Sequence, residues 1–301
     1  MSIVGIMESE EMKKLTIFTP VYNREILIYR LYESLLKMKY KNFEWVIVDD
    51  GSTDNTAAVI QKMMKENKIE IKYYYKKNGG KHTAYNLGID KAQGELFVIV
   101  DSDDVVLENG FFEILQIWEN LQKKNQLLGI SGIDYDSNLN VIGDKYPISP
   151  LECSHLKMRE VYNVHGDKTE IFRTDLLKGY HFPIFKSEKF LTEAILFEKL
   201  YKKYDSYFVN IPLIIRDYQK KGLSDNSLKL RVINSMGAKE YYKQNIQLCL
   251  TKKKKFKSQI NYCRFSFHSK AKIKENIGLA YVLGFVMYLF DNIRLYRKKY
   301  E

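Results

Sequence analysis

From Leu15 to Val100, short runs of strand formers alternate with segments whose apolar residues recur at helical spacing. LTIFT (Leu15–Thr19), FEWVIV (Phe43–Val48), Ile69–Tyr75 and Glu95–Val100 read as four strands. Between them, Glu25 to Met38 places Ile26, Leu27, Leu31, Leu35 and Met38 on one helical face. Asp54 to Lys65 reads as a second helix, with Ser52, Thr53 or Asp54 as candidate N-caps, and His82 to Ala92 as a third. Strand and helix in strict alternation, joined by loops of a few residues, predict a parallel sheet covered on both faces. Further on, Glu108–Lys124 and Leu191–Lys203 have helical periodicity, Gly129–Tyr135 and Tyr207–Ile215 read as strands, and DSNLN (Asp136–Asn140) as a hairpin turn.

The unusual polar residues follow the strand ends. They are Pro20-Val21-Tyr22-Asn23-Arg24, Asp49-Asp50-Gly51-Ser52, Asn78-Gly79-Gly80-Lys81 and Asp101-Ser102-Asp103-Asp104. A parallel sheet gathers all four clusters beyond one edge, where such folds bind ligands. The last cluster holds three aspartates in four positions. Two carboxylates about 4 Å apart repel by roughly 4 kcal/mol at an effective dielectric of about 20. A cation, a raised pKa or full solvation must relieve that cost. Mg²⁺ or Mn²⁺ bound by carboxylates and substrate phosphates would do so, and a solvated acidic loop is the bland alternative. Asp49 and Asp50 can accept hydrogen bonds from a base or ribose, or can shape a capped turn. Lys81 and His82 can meet phosphate near a helix N-terminus, although the P-loop spacing is absent.

TPVYNRE, VDDGSTDNT, GGKHTAYNLGI and VDSDD, in this order, resemble the nucleotide-sugar half of a family 2 glycosyltransferase. The resemblance implies a GT-A fold: a Rossmann-like, mostly parallel sheet flanked by helices. It implies a nucleotide-diphosphate sugar donor, usually UDP-linked, and a divalent metal, Mn²⁺ or Mg²⁺. Carried over by position, Pro20 and Tyr22 border the nucleotide, and Asp49 and Asp50 face uracil and ribose. Lys81 lies on the diphosphate side, Asp101 and Asp103 on the donor, and Asp103 and Asp104 on the metal. GDKTEIFRTDLL, FPIFKSEKFLTEA and YQKKGLSDNSLKLR resemble a bacterial subgroup of the family. Inverting members use a carboxylate as base, often in a Glu-Asp pair. Here the pair is absent and Thr192-Glu193 stands instead, making Glu193 the candidate base and Glu188 the runner-up. Lys221 occupies a position where many relatives carry an acid, in a segment expected to close as a lid. The resemblance thus implies transfer to a glycan or lipid-linked acceptor in bacterial surface-polysaccharide assembly. A nucleotidyltransferase and a catalytically inactive sugar-nucleotide-binding subunit are the rival readings.

Charge then divides the chain. Of a net +11, the residues from Thr251 onward supply 13 Lys or Arg against 3 acids, so the body is nearly neutral. The expected organisation is a catalytic domain over 12–250, with a nucleotide-sugar half over 12–104 and an acceptor half and lid over 105–250. Basic helices over 251–301 complete it. The apolar run Ile277–Phe290 covers about 21 Å as a helix, short of the roughly 30 Å of a bilayer core. It suits a helix lying on an anionic membrane surface, or alternatively one packed on the domain. Nucleic acid is not an expected partner, because the apolar run would go unexplained. The acidic start MSIVGIMESEEMKK does not read as a signal peptide. Three scattered cysteines, Cys153, Cys249 and Cys263, fit a reducing compartment. Both point to the cytoplasm, at the inner face of the membrane.

Overall fold

The structure is a computed structural model that describes residues 14–217, 227–273 and 278–297. Its first part is β1 (Leu15–Val21), α1 (Leu27–Lys37), β2 (Phe43–Asp49), α2 (Thr56–Glu66), β3 (Ile71–Tyr75), α3 (Lys81–Lys91) and β4 (Leu96–Ile99). β1 lies between β2 and β4, and β2 beside β3, all parallel. This is the expected alternation, with boundaries within a few residues of the periodic runs. Parallel strands carry helices on both faces, so every residue of β2 is buried, which is why FEWVIVD reads as a nearly unbroken apolar run.

Successive strand residues point to opposite faces. Ile17, Trp45, Ile47 and Val98 therefore meet α1 and α2 on one side, together with Phe111, Ile114 and Trp118 of α4 (Gly110–Asn120). Phe18, Val46 and Phe97 point the other way, toward Ala84, Tyr85 and Ile89 of α3. Phe18 stacks on Phe97 at 5.4 Å and takes the edge of Tyr85 at 5.2 Å. Each such fully buried side chain contributes about 1.5–3 kcal/mol of transfer free energy.

The remaining elements extend the sheet. They are β5 (Val105–Val106), β6 (Gly129–Tyr135), β7 (Leu151–Cys153), α5 (His155–Glu160), β8 (Lys168–Arg173), α6 (Thr174–Leu177), α7 (Ala194–Lys203) and β9 (Ser206–Ile215). The strand order is β3-β2-β1-β4-β8-β6-β9-β5, with β7 also on β9. β8 is antiparallel to both β4 and β6, so the sheet turns from parallel to mixed at β4. The DSNLN turn forms as expected: Asp136 accepts the backbone N–H groups of Asn138 and Asn140, both at 2.9 Å. Leu139 sits there at φ 62°.

The chain continues in α8 (Ser227–Ile233), α9 (Ser235–Leu248), α10 (Lys252–His268) and α11 (Leu279–Arg297). The composition break at Thr251 is a helix start, because its hydroxyl accepts the N–H of Lys254 at 3.3 Å. Yet α9, which precedes the break, packs on α10 as well as on α7. The helical unit therefore begins before the charge does.

Gly88 marks where α3 approaches β1 most closely, since a Cβ there would stand 2.3 Å from the Phe18 ring. Gly88→Ala should lower stability by about 1–3 kcal/mol through overpacking. The measurement is a urea midpoint at unchanged slope, and an unmoved midpoint would show that this seam yields.

Candidate active site

The loops after β1 and β2 hold one another. The Asn23 N–H donates to Ser52 Oγ at 2.9 Å, while Asn23 Oδ1 accepts from the Thr53 N–H at 2.9 Å. The Arg24 N–H reaches Thr56 Oγ1 at 2.7 Å, and Glu25 accepts the Asn55 N–H at 2.9 Å. Asn23 needs φ 54° to do this, a left-handed conformation that Asn tolerates better than most residues. Asp54, a candidate cap, accepts from both the N–H and the hydroxyl of Thr56. Pro20 is half-buried in β1 opposite Val48, and Tyr22 projects 47% exposed beside it.

Asp49 and Asp50 lie inside this frame, with their oxygens engaged by protein donors. Asp49 is fully buried and accepts the Ser52 N–H and the Tyr73 hydroxyl, each at 2.7 Å. Asp50 accepts from Lys76 Nζ at 2.6 Å and from the N–H groups of Gly79 at 2.9 Å and Gly80 at 2.7 Å. Its carboxylate thus shapes the glycine loop. Gly80 has φ 94°, and a Cβ there would meet the Lys189 carbonyl oxygen at 2.0 Å. The loop that opens α3 is therefore pressed against the segment that precedes α7. His82 is buried against the edge of Phe182, and burial lowers its pKa. Its ring does not stand in the open.

Lys81 joins the two halves. Its ammonium lies 2.8 Å from Asp101 and 3.0 Å from Glu193, which also accepts the Tyr85 hydroxyl at 2.8 Å. Burial opposes the charge on Lys81, but the two carboxylates raise its pKa well above the usual lysine value. Burial likewise pushes Asp101 up, yet the charge and hydrogen bond of Lys81 together with Arg216 and Arg24 outweigh it and hold Asp101 below its usual value. The next acids go the other way. Asp103 is raised by burial and by Asp101. Asp104, 3% exposed, is pushed up to about 8 by burial together with Asp101, Asp103 and Asp134, against the pull of Arg216.

Asp134 and Arg216 went unread in the sequence. Arg216 donates to Asp134 at 2.7 Å and to Asp104 at 3.1 Å, and Asp134 also accepts the Thr169 hydroxyl at 2.6 Å. The signals were present: a carboxylate inside the apolar strand GISGIDY, and an arginine directly after the run VNIPLII. Arg30 also reaches this corner, pairing with Asp217 at 2.8 Å and donating to the Asp103 carbonyl.

Glu193 caps α7 by position and keeps its side chain 45% exposed. Asn86 pins the segment before it through two bonds to Phe182, from Phe182 N–H at 2.8 Å and to its carbonyl at 3.0 Å. Glu188, the runner-up base, accepts the N–H groups of Met236 and Gly237 at 2.8 Å each, so it caps α9. Asn234 accepts the N–H groups of Lys189 at 2.8 Å and Phe190 at 3.1 Å. Lys221 lies outside the described residues, as does most of the segment expected to form a lid. Among the described residues no group of three or more His, Cys, Asp or Glu is arranged to hold a metal. Mg²⁺ is commonly held by one or two carboxylates together with substrate phosphates, and Asp103 with Asp104 meets that lesser requirement. Their raised pKa values are what excess buried negative charge produces, so hard oxygen donors and charge both fit a dication.

The sequence pattern of glycosyl transferase family 2 matches residues 16–187, more than half of the chain. The chain belongs to that family. The site just described falls mostly within this family 2 segment, with Glu193 shortly beyond its end. GlyG, a glycosyltransferase of Streptococcus pneumoniae serotype 4, is 38% identical over 112 residues, 37% of this chain and 36% of that protein. A Campylobacter jejuni GalNAc(5)-diNAcBac-PP-undecaprenol beta-1,3-glucosyltransferase is 26% identical over 222 residues, 71% of this chain and 68% of its own. The match thus spans about a third of the first relative's length. In fold, the chain is similar to Staphylococcus aureus TarS 1–349 in complex with UDP-GlcNAc. The TM-score is 0.60 at 20% identity, covering 92% of this family 2 chain and 81% of TarS 1–349. That likeness supports the GT-A architecture.

An acid whose folded pKa is raised destabilises the fold as pH climbs from its unfolded value, about 4, toward its folded value, about 8 for Asp104. Asp104→Asn should therefore raise the thermal midpoint in EDTA by several degrees at pH 9 and by much less at pH 5. Scanning calorimetry of both proteins at the two pH values reads this. A midpoint that falls equally at both would mean that the Arg216 pair outweighs the crowding.

Proposed function

We propose that this family 2 chain transfers a sugar from a nucleotide diphosphate, UDP in the first instance, to a glycan or lipid-linked acceptor. The observation that carries the proposal is Lys81, one side chain in ion-pair contact with Asp101 of the donor-side acids and with Glu193. A donor held at the acids would thus have a carboxylate from the other half within reach of the incoming hydroxyl. The relatives add support, one named for a PP-undecaprenol-linked substrate and one solved with UDP-GlcNAc.

In this reading Tyr22 and Pro20 border the base, and Asp49 and Asp50 act by building the loops around it. Glu193 takes the acceptor proton while that oxygen attacks the anomeric carbon. Lys81 and Tyr85 fix the direction of the Glu193 carboxylate. The bond to the diphosphate breaks through an oxocarbenium-like state, and a single displacement inverts the configuration. Asp103 and Asp104 would hold Mn²⁺ or Mg²⁺, which when bound supplies positive charge for the leaving diphosphate. The work of such an enzyme is bacterial capsule, exopolysaccharide or wall-polymer assembly at the inner face of the cell membrane.

Incubated with UDP-sugars and Mn²⁺, the full chain should release UDP slowly to water and faster with acceptor, and stop with EDTA. Glu193→Gln should bind UDP-sugar as before and lose at least about 10²-fold in transfer. Binding without any UDP release would indicate an inactive subunit. Full transfer by the variant would remove Glu193 from its role.

A further inference from the structure

α11 packs against α10 along a seam on one side. Ala280, Gly284 and Asp291 are buried on it. A Cβ at Gly284 would stand 2.5 Å from that of Cys263, so α10 and α11 approach backbone to backbone. Asp291 accepts from Arg264 at 2.6 Å and lies 3.0 Å from His268 Nε2, which locks the rotation of α11 about its axis. Successive helix residues advance by about 100°. Val282, Val286, Leu289, Phe290 and Ile293 therefore share a face about 100° wide, opposite the seam. All five are 40–66% exposed. The seam takes Ala, Gly, an ion pair and, along one flank, the rings of Tyr281, Phe285 and Tyr288 against Phe267, and it leaves these five apolar side chains outside. A contiguous apolar face of this kind marks an interaction site.

The charge around it selects the occupant. Lys252, Lys253, Lys255 and Lys257 are exposed along α10, Lys270 and Lys272 follow it, and Arg294 lies on α11. Among the described residues from 252 to 295 the one carboxylate is Asp291, and it is buried in its pairs with Arg264 and His268. A second copy of the chain would bring like charges together across the face. A bilayer core is also excluded as a path, because no helix among the described residues is long and apolar enough to cross a membrane. The apolar part of α11, Leu279 to Phe290, covers only about 18 Å at about 1.5 Å per residue.

We infer that this face of α11, with the lysines of α10, docks in the plane of an anionic phospholipid surface. It gives the membrane-face reading above a defined seat, and it stands apart from the sugar-transfer chemistry. Apolar side chains enter the headgroup boundary and the cations meet lipid phosphates, the arrangement of an interfacial helix.

The test is sedimentation of the full chain with vesicles of phosphatidylglycerol and phosphatidylcholine, against phosphatidylcholine alone. Binding should be at least about tenfold tighter to the anionic vesicles and should weaken with salt. Val286→Ser with Phe290→Ser should reduce it at least about tenfold, and Lys252→Gln with Lys253→Gln and Lys255→Gln should remove the lipid-charge preference. Circular dichroism checks that both variants fold. UDP release in solution should match the parent in both. Vesicle binding without UDP release in any of the proteins would sink the transferase reading and leave this one standing. Equal vesicle binding by parent and apolar variant overturns the inference. So does a concentration-dependent dimer that the Ser pair abolishes while vesicles bind nothing.

Discussion

An ammonium shared between two carboxylates organises this molecule. Lys81 is the first residue of α3, and its partners Asp101 and Glu193 come from the end of the parallel sheet and from the start of α7. Its position is set further back. Asp50 grips the N–H groups of Gly79 and Gly80, and Gly80 takes the left-handed turn that admits the Lys189 carbonyl. The three side chains are each about a third to nearly a half exposed, so solvent screens the pairs and their part is to fix geometry more than to add stability. The donor-side acids and the candidate base are therefore brought into register by one shared contact.

Around that contact the charges do not balance evenly. Lys81 serves Asp101, and Arg216 divides itself between Asp134 and Asp104. What remains is crowding at Asp103 and Asp104, where burial and neighbouring acids disfavour the charged forms and raise both pKa values. A fold rarely keeps such crowding for stability alone. In the proposed reading, a cation bound at this point would relieve that crowding.

Much of this was legible from the sequence, for local reasons. The parallel half follows from unbroken apolar runs and amphipathic periods, and the gathering of four polar loops follows from parallel topology. The hairpin at Asp136 follows from turn chemistry that acts within five residues. What stayed hidden depends on distant partners. The insertion of β8 between β4 and β6, antiparallel to both, is a choice made by residues far apart in the chain. That Asp50 also holds the backbone N–H groups of the glycine loop was not visible in the sequence. Glu188 reads as a candidate base until it is found on the first turn of α9. Asp134 and Arg216 become site residues only when β6 and β9 lie side by side. The basic, apolar character of α11 was visible, but the seam that leaves one apolar face outside was not.

The bonds from Glu188 and Asn234 join the segment leading to Glu193 to the start of α9. α9 in turn lies against α10, and α10 against α11. The far helices and the segment carrying Glu193 are thus joined through a continuous series of packed elements. The outer helix thus belongs to the same packed unit that anchors the segment leading to Glu193.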